Sequence, residues 1–171
     1  SELDSDIGNI YPGKGNDTVT NATSKHTIIS GPGEDNISGQ KFGYALWNAT
    51  QAVTINLKEN WSEDGFGTRD TVSGIETIHG SSFGDTIYGS ENYERYFVNG
   101  GNNTIDGDGG YDRASYAPGR GPSTDFEITY IDGSAHVKGK NTLDIFKNIS
   151  TIEFMDDSKI FSVDDENGSI F

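Results

Sequence analysis

Apolar residues recur at every ninth position in two runs of this 171-residue chain. The first run is Ile10, Val19, Ile28 and Ile37; the second is Ile78, Ile87, Tyr96, Ile105 and Ala114. A fixed period of this kind is the mark of a repeat architecture. One apolar position per nine residues predicts three-residue strands whose middle side chain points into a thin core. The other six residues form the turn, and glycine is needed where that turn reaches positive φ.

Glycines and acids keep the same register as the apolar positions. The first run contains Pro12-Gly13-Lys14-Gly15-Asn16-Asp17-Thr18-Val19 and Ser30-Gly31-Pro32-Gly33-Glu34-Asp35-Asn36-Ile37. The second contains Gly80-Ser81-Ser82-Phe83-Gly84-Asp85-Thr86-Ile87, Gly101-Asn102-Asn103-Thr104-Ile105 and Gly107-Asp108-Gly109-Gly110-Tyr111-Asp112-Arg113-Ala114. If successive turns alternate between the two sides of a flattened coil, residues 18 apart stack. That brings together Asp17 with Asp35, Asp85 with Asn103, and Glu94 with Asp112. The pattern is weaker at His26, Glu76 and Glu94, which stand where Asp is expected. It is weaker again at Phe83, in a glycine position, and at Asn103.

These lines resemble the RTX nonapeptide, Gly-Gly-x-Gly-x-Asp-x-(aliphatic)-x, a calcium-binding repeat. Residues 39–77 are similar to RTX proteins as well. Val53-Thr54-Ile55-Asn56-Leu57 is followed by a polar loop from Lys58 to Thr68, then by Asp70-Thr71-Val72-Ser73-Gly74-Ile75-Glu76 and a Gly-Ser turn. The loop is expected to project outward. Beyond Ala114 the period stops. Residues 126–131 and 135–138 flank Asp132-Gly133-Ser134, a hairpin signal, and Ile152-Glu153-Phe154-Met155-Asp156 resembles the closing run of many RTX modules. The predicted fold is all-β: a right-handed parallel β-roll or β-helix of nonapeptide repeats with a C-terminal antiparallel cap. It is read as one module over 1–171, with arrays at 1–38 and 78–115, a strand and loop at 39–77, and the cap at 116–171.

Composition supports a role for metal. The chain has 23 Gly, no Cys and a formal net charge of −15. Low hydrophobicity with high charge ordinarily gives disorder, yet the aromatic and β-branched content suits strands. A divalent cation reconciles the two, since carboxylates and carbonyls are hard oxygen donors and Ca²⁺ accepts six to eight of them. The expected ligand set is Gly13, Gly15, Asp17, Gly31, Gly33, Asp35, Asp85, Gly101, Asn103, Gly107, Asp108, Gly110 and Asp112. The strongest positions are Asp17 with Asp35, and Asp112 with its neighbouring turn. Folding and calcium binding are then expected to be coupled.

The acidic balance argues against nucleic acid, and no segment approaches the ~20 apolar residues of a membrane span. His26, His79 and His136 make no zinc set without cysteine. Glu153 with Asp156 or Asp157 is a weak acid–base pair, and no nucleophile constellation is present, so the chain reads as non-catalytic. The RTX resemblance implies a bacterial, secreted, extracellular module, exported by type I secretion and attached to a catalytic or adhesive domain. The acidic end from Asp164 to Phe171 is compatible with an export signal or with a plain acidic tail. The competing reading is a carbohydrate-binding or adhesive module such as those joined to alginate epimerases. It would use Trp47, Trp61, Tyr93 and Tyr96 as stacking faces, with Lys138, Lys140 and Lys147 as the only basic strip for an anionic polysaccharide. The sequons at Asn21, Asn48 and Asn148 are read as incidental.

Overall fold

A computed structural model describes residues 8–117, 119–154 and 159–162. The strands are β1 (Gly8–Ile10), β2 (Thr18–Ala22), β3 (His26–Ile29), β4 (Asn36–Ala45), β5 (Thr54–Asn56), β6 (Trp61–Glu63), β7 (Arg69–His79), β8 (Thr86–Ser90), β9 (Arg95–Val98), β10 (Thr104–Asp108), β11 (Arg113–Tyr116), β12 (Glu127–Ile131), β13 (Ser134–Lys138), β14 (Leu143–Lys147), β15 (Thr151–Phe154) and β16 (Lys159–Ser162). Among the described residues the only helical element is a 3₁₀ turn at Ser123–Asp125. The protein is all-β, in a mixed parallel and antiparallel sheet.

The nine-residue period sorts strands alternately into two parallel ladders. One runs β1, β3, the second half of β4, the second half of β7, β9, β11 and β15. The other holds β2, the first half of β4 and the first half of β7, then β5, β8, β10 and β14. Strands β4 and β7 pass through both. Pairing steps of 18 residues recur: Ile10 faces Ile28, Val19 faces Ile37, Ile87 faces Ile105, and Ile78 faces Tyr96, which faces Ala114. One buried cluster draws on both ladders, including Ile28, Ile37, Ile78, Ile87, Tyr96, Ile105 and Ala114. These nine-step residues form the spine of the core, joined on several strands by a second inward residue such as Val98, Tyr116 and Phe154.

Antiparallel pairing enters at two places. The predicted outward loop at Lys58 to Thr68 instead contributes β6, which inserts antiparallel between β5 and β7. The reason is backbone satisfaction: residues 46–70 leave the nine-step period, and the facing edges of β5 and β7 need partners for their N–H and C=O groups. At the C-terminal end the predicted hairpin is present. β12 and β13 pair across Asp132 and Gly133, both at positive φ, and β13 continues antiparallel onto β14. The 3₁₀ turn leads into Phe126, which packs with Tyr116 and Phe154 at ring centroid distances of 4.9–5.0 Å.

On the outer face of the first ladder, His79 stacks on Phe97 at 4.3 Å with nearly parallel rings, and the edge of Trp47 meets His79 at 5.3 Å. The Arg95 guanidinium covers Phe97 and reaches Glu153 at 3.2 Å. Burial, then the neighbouring Arg95, lowers the His79 pKa to about 4, so the ring is neutral at neutral pH.

Candidate cation-binding columns

Each strand of the two ladders begins just after a turn residue, and these turn residues stack into two columns. Beside the second ladder stand Asp17, Asp35 and Asp70, and then Val53, Asp85, Asn103 and Asp144. Beside the first stand Glu94 and Asp112. In every successive pair the later side chain accepts the backbone N–H of the earlier residue. Asp35 Oδ1 takes the amide of Asp17 at 2.9 Å, Asp70 Oδ1 that of Asp35 at 3.0 Å, and Asp85 Oδ1 that of Val53 at 3.0 Å. Asn103 Oδ1 takes the amide of Asp85 at 3.0 Å, Asp144 Oδ1 that of Asn103 at 2.9 Å, and Asp112 Oδ1 that of Glu94 at 2.7 Å.

A backbone bond runs the opposite way at each step. The amides of Asn36, Thr71, Thr86, Thr104, Ile145 and Arg113 donate to the carbonyls of Asp17, Asp35, Val53, Asp85, Asn103 and Glu94. The turn acid thus closes a two-way clamp on a backbone amide that the ladder does not serve. Acceptance of a buried N–H by a carboxylate is a strong, charge-assisted bond. All three pairs predicted from the 18-residue spacing are brought together in this way.

Where a carboxylate oxygen is committed to the clamp, as in Asp35, Asp70, Asp85, Asp112 and Asp144, the other oxygen sets the chemistry of the position. Asp35 Oδ2 accepts from the Ser30 hydroxyl at 2.9 Å. Asp70 Oδ2 lies 2.9 Å from the same hydroxyl and accepts from Tyr44 OH at 2.7 Å, with Ser62 2.7 Å from the phenol oxygen. Burial raises the Asp70 pKa to about 6. Asp85 Oδ2 accepts the amide of Ser81 at 2.7 Å, and its Oδ1 also takes the Ser81 hydroxyl; burial again moves this carboxyl upward. Asp144 Oδ2 accepts from Tyr116 OH at 2.8 Å and from Arg120 Nη2 at 3.0 Å.

Two positions differ. Asp17 Oδ2 and Asp112 Oδ2 are buried and have no hydrogen-bond partner. Asp112 is fully buried, and burial, with Glu94 beside it, pushes its pKa up to about 7. A buried acceptor left without a donor is costly. Glu94 accepts from Ser90 and lies 3.3 Å from Tyr96 OH; burial shifts it upward.

The glycines pack the turns. A Cβ on Gly31 would stand 1.9 Å from the carbonyl oxygen of Gly13, and one on Gly33 2.1 Å from that of Gly15. Only glycine allows these turns to stack at that distance. A Cβ on Gly107 would lie 2.3 Å from Asp112 Oδ2 and 2.4 Å from the Asn148 carbonyl oxygen, so the missing side chain leaves two oxygens facing one small space. Gly101 and Gly110 have positive φ and press against the backbone of turns 82–84 and 92–93. Asp108, predicted with the ligands, points elsewhere: its carboxylate holds Lys58 Nζ at 3.0 Å on the exposed side.

No protein-family model matches this chain, and no curated protein sequence matches it.

Asp70 and Asp144 are members of the columns that the period did not reveal. Both sit in Asp-x-aliphatic or Asp-x-aromatic frames, Asp70-Thr71-Val72 and Asp144-Ile145-Phe146, but insertions carry them 35 and 41 residues from their partners. Among the described residues no group of three or more His, Cys, Asp or Glu side chains converges as metal ligands. A cation here would therefore draw on carbonyl oxygens as well. Asp112, whose free oxygen shares a small space with the Asn148 carbonyl, has the donor chemistry a hard cation would use, and Asp17 contributes a single buried free oxygen. Such a cation does not fit at Asp144, where a guanidinium already stands.

Of the aromatic residues considered for sugar stacking, Tyr96 is fully buried in the core, which removes it from that role. Trp61 is half-buried with the Arg69 guanidinium 4.0 Å from its ring. Trp47 and Tyr93 are exposed. Glu153 is engaged by Arg95 and Ser115. Asp156, Asp157 and the tail from Asp164 to Phe171 lie outside the described residues. No helix among the described residues is long and apolar enough to cross a membrane.

Proposed function

We propose that this chain is a non-catalytic calcium-binding module built as a right-handed parallel β-roll, and that calcium completes its glycine turns rather than its whole core. The observation that carries this reading is the pair of buried, partnerless oxygens on Asp17 and Asp112, in a chain of net charge −15. Asp112 with the Asn148 carbonyl, and Asp17 at the first turn, are the groups that would hold the ion. Calcium would supply the positive charge these oxygens lack. It tolerates loose oxygen geometry, where Mg²⁺ does not. Millimolar external calcium suits such sites, in keeping with a secreted bacterial module that supports a larger protein, as the RTX resemblance implies.

The test is circular dichroism during a calcium titration, with magnesium as control. Calcium should raise the β-signal and the melting temperature with a defined midpoint, and Asp17→Ala should move that midpoint to higher calcium. A chain equally stable in EDTA and in calcium, with no ion bound, would overturn the reading.

A second reading has one specific observation in its favour. A cleft of about 380 Å³ is lined by Gln40, Lys41, Glu76, Asn92 and the exposed Tyr93, an aromatic face beside amide and charged groups of the kind that holds a sugar ring. Binding on a glycan array that Tyr93→Ala abolishes would support it. Binding that survives the substitution would exclude this cleft.

A further inference from the structure

Asp144 is wholly buried, yet it lies in the same kind of column as the partnerless acids. What distinguishes it is the segment after β11. Arg120 follows a turn in which its amide donates to the Ala117 carbonyl. Its side chain is only 15% exposed, and its Nη2 lies 3.0 Å from Asp144 Oδ2. The guanidinium also sits 5.5 Å from the Tyr116 ring centroid, and the phenol of that tyrosine donates to the same oxygen. The Asn103 amide and Nδ2 fill Oδ1 at 2.9 and 2.8 Å. Four donors, one of them cationic, saturate this carboxylate. The segment that delivers Arg120 is fixed at both ends by the packing of Tyr116, Phe126 and Phe154.

A buried carboxylate is held by hydrogen bonds or by a counter-charge. A guanidinium supplies it permanently, since it does not deprotonate in proteins. We propose that Arg120 is the resident cation of the Asp85–Asn103–Asp144 column, and that it removes Asp144 from the buried acids that would require a metal. Asp144 is metal-free because the chain itself fills its cation position. The part of this statement that concerns calcium rests on the calcium reading above.

The experiment compares the full chain with Arg120→Gln, Arg120→Lys and the neutral pair Arg120→Gln/Asp144→Asn. Hydrogen exchange of the Asn103 amide, which reports directly on Asp144, is measured in EDTA and in calcium, and bound calcium is counted by isothermal titration. In EDTA, Arg120→Gln should exchange at least tenfold faster than wild type. Arg120→Lys and the neutral pair should stay close to wild type. Calcium should return Arg120→Gln to the wild-type rate with one additional ion bound per chain.

The proposal is overturned if Arg120→Gln matches wild type in EDTA, or if it exchanges faster in both conditions with no extra ion. Should Arg120→Gln fail to fold, the neutral pair decides: a folded pair supports charge compensation and an unfolded pair refutes it. If the wild-type chain binds no calcium at all, the calcium reading fails, while the EDTA comparison still judges Arg120.

Discussion

Asp112 and Asp144 begin from the same situation and end in opposite ones. Both carboxylates are fully buried. Both accept a backbone amide from one coil earlier, at 2.7 and 2.9 Å. Yet the second oxygen of Asp112 faces no donor, while that of Asp144 holds a phenol and a guanidinium. Accepting an earlier amide is thus a structural duty the two acids share, and the local surroundings decide whether a charge remains to be neutralised from outside.

The largest test of this contrast is Asp144→Ala. It strands Arg120 without its partner and leaves the Asn103 amide and Tyr116 hydroxyl inside the protein. Removing one member of a buried pair costs about 3–5 kcal/mol. Urea unfolding should show that loss equally in EDTA and in calcium, and rescue by calcium would erase the distinction between the two acids.

A smaller effect of opposite sign is expected at Asp112. A carboxyl whose pKa rises from 3.8 to about 7 on folding holds its proton more tightly in the folded chain. Metal-free stability should therefore fall as pH climbs from about 4 to 7, with Asp70, at about 6, adding to the slope. Asp112→Asn should flatten the part of the slope due to Asp112. At neutral pH in EDTA it should also stabilise the chain by about 1 kcal/mol, and it should weaken calcium binding. Melting temperatures across that pH range, with and without calcium, check both statements. A variant that melts below wild type in EDTA at pH 7.5 would show that the charge is already compensated. The smallest change belongs to Glu63→Ala, which removes only an exposed pair with Arg69. It should shift stability by less than about 0.5 kcal/mol and leave the calcium midpoint in place, which makes it the control for non-specific charge effects.

The repeat body was legible because its information is local. One inward apolar residue per nine, with glycine and acid in fixed phase, is enough to place Ile28, Ile37, Ile87 and Ile105 in the core and to pair Asp17 with Asp35. The two-way clamp was not legible, since half of it is backbone amide and carries no residue signature. Asp70 and Asp144 were hidden by the inserted strands β5 and β6 and by the hairpin of β12 and β13, which break the period; β6 also divides the second column between Asp70 and Val53. β6 carries no strand signal of its own, because its three residues, Trp61-Ser62-Glu63, become a strand only between two waiting edges. Arg120 lies in an irregular segment where no periodicity points to a role, and its meaning depends on a carboxylate 24 residues away.

Every clamp points the same way, the later side chain serving the earlier amide, and the step from Thr18 to Asn36 spans 18 residues. The molecule therefore has an editable length. A tandem copy of residues 18–35 would enter as one more rung, its new aspartate taking the amide of Asp35 while Asp70 took the amide of the newcomer. Lengthening or shortening the body in such units should leave both ends of the protein as they are.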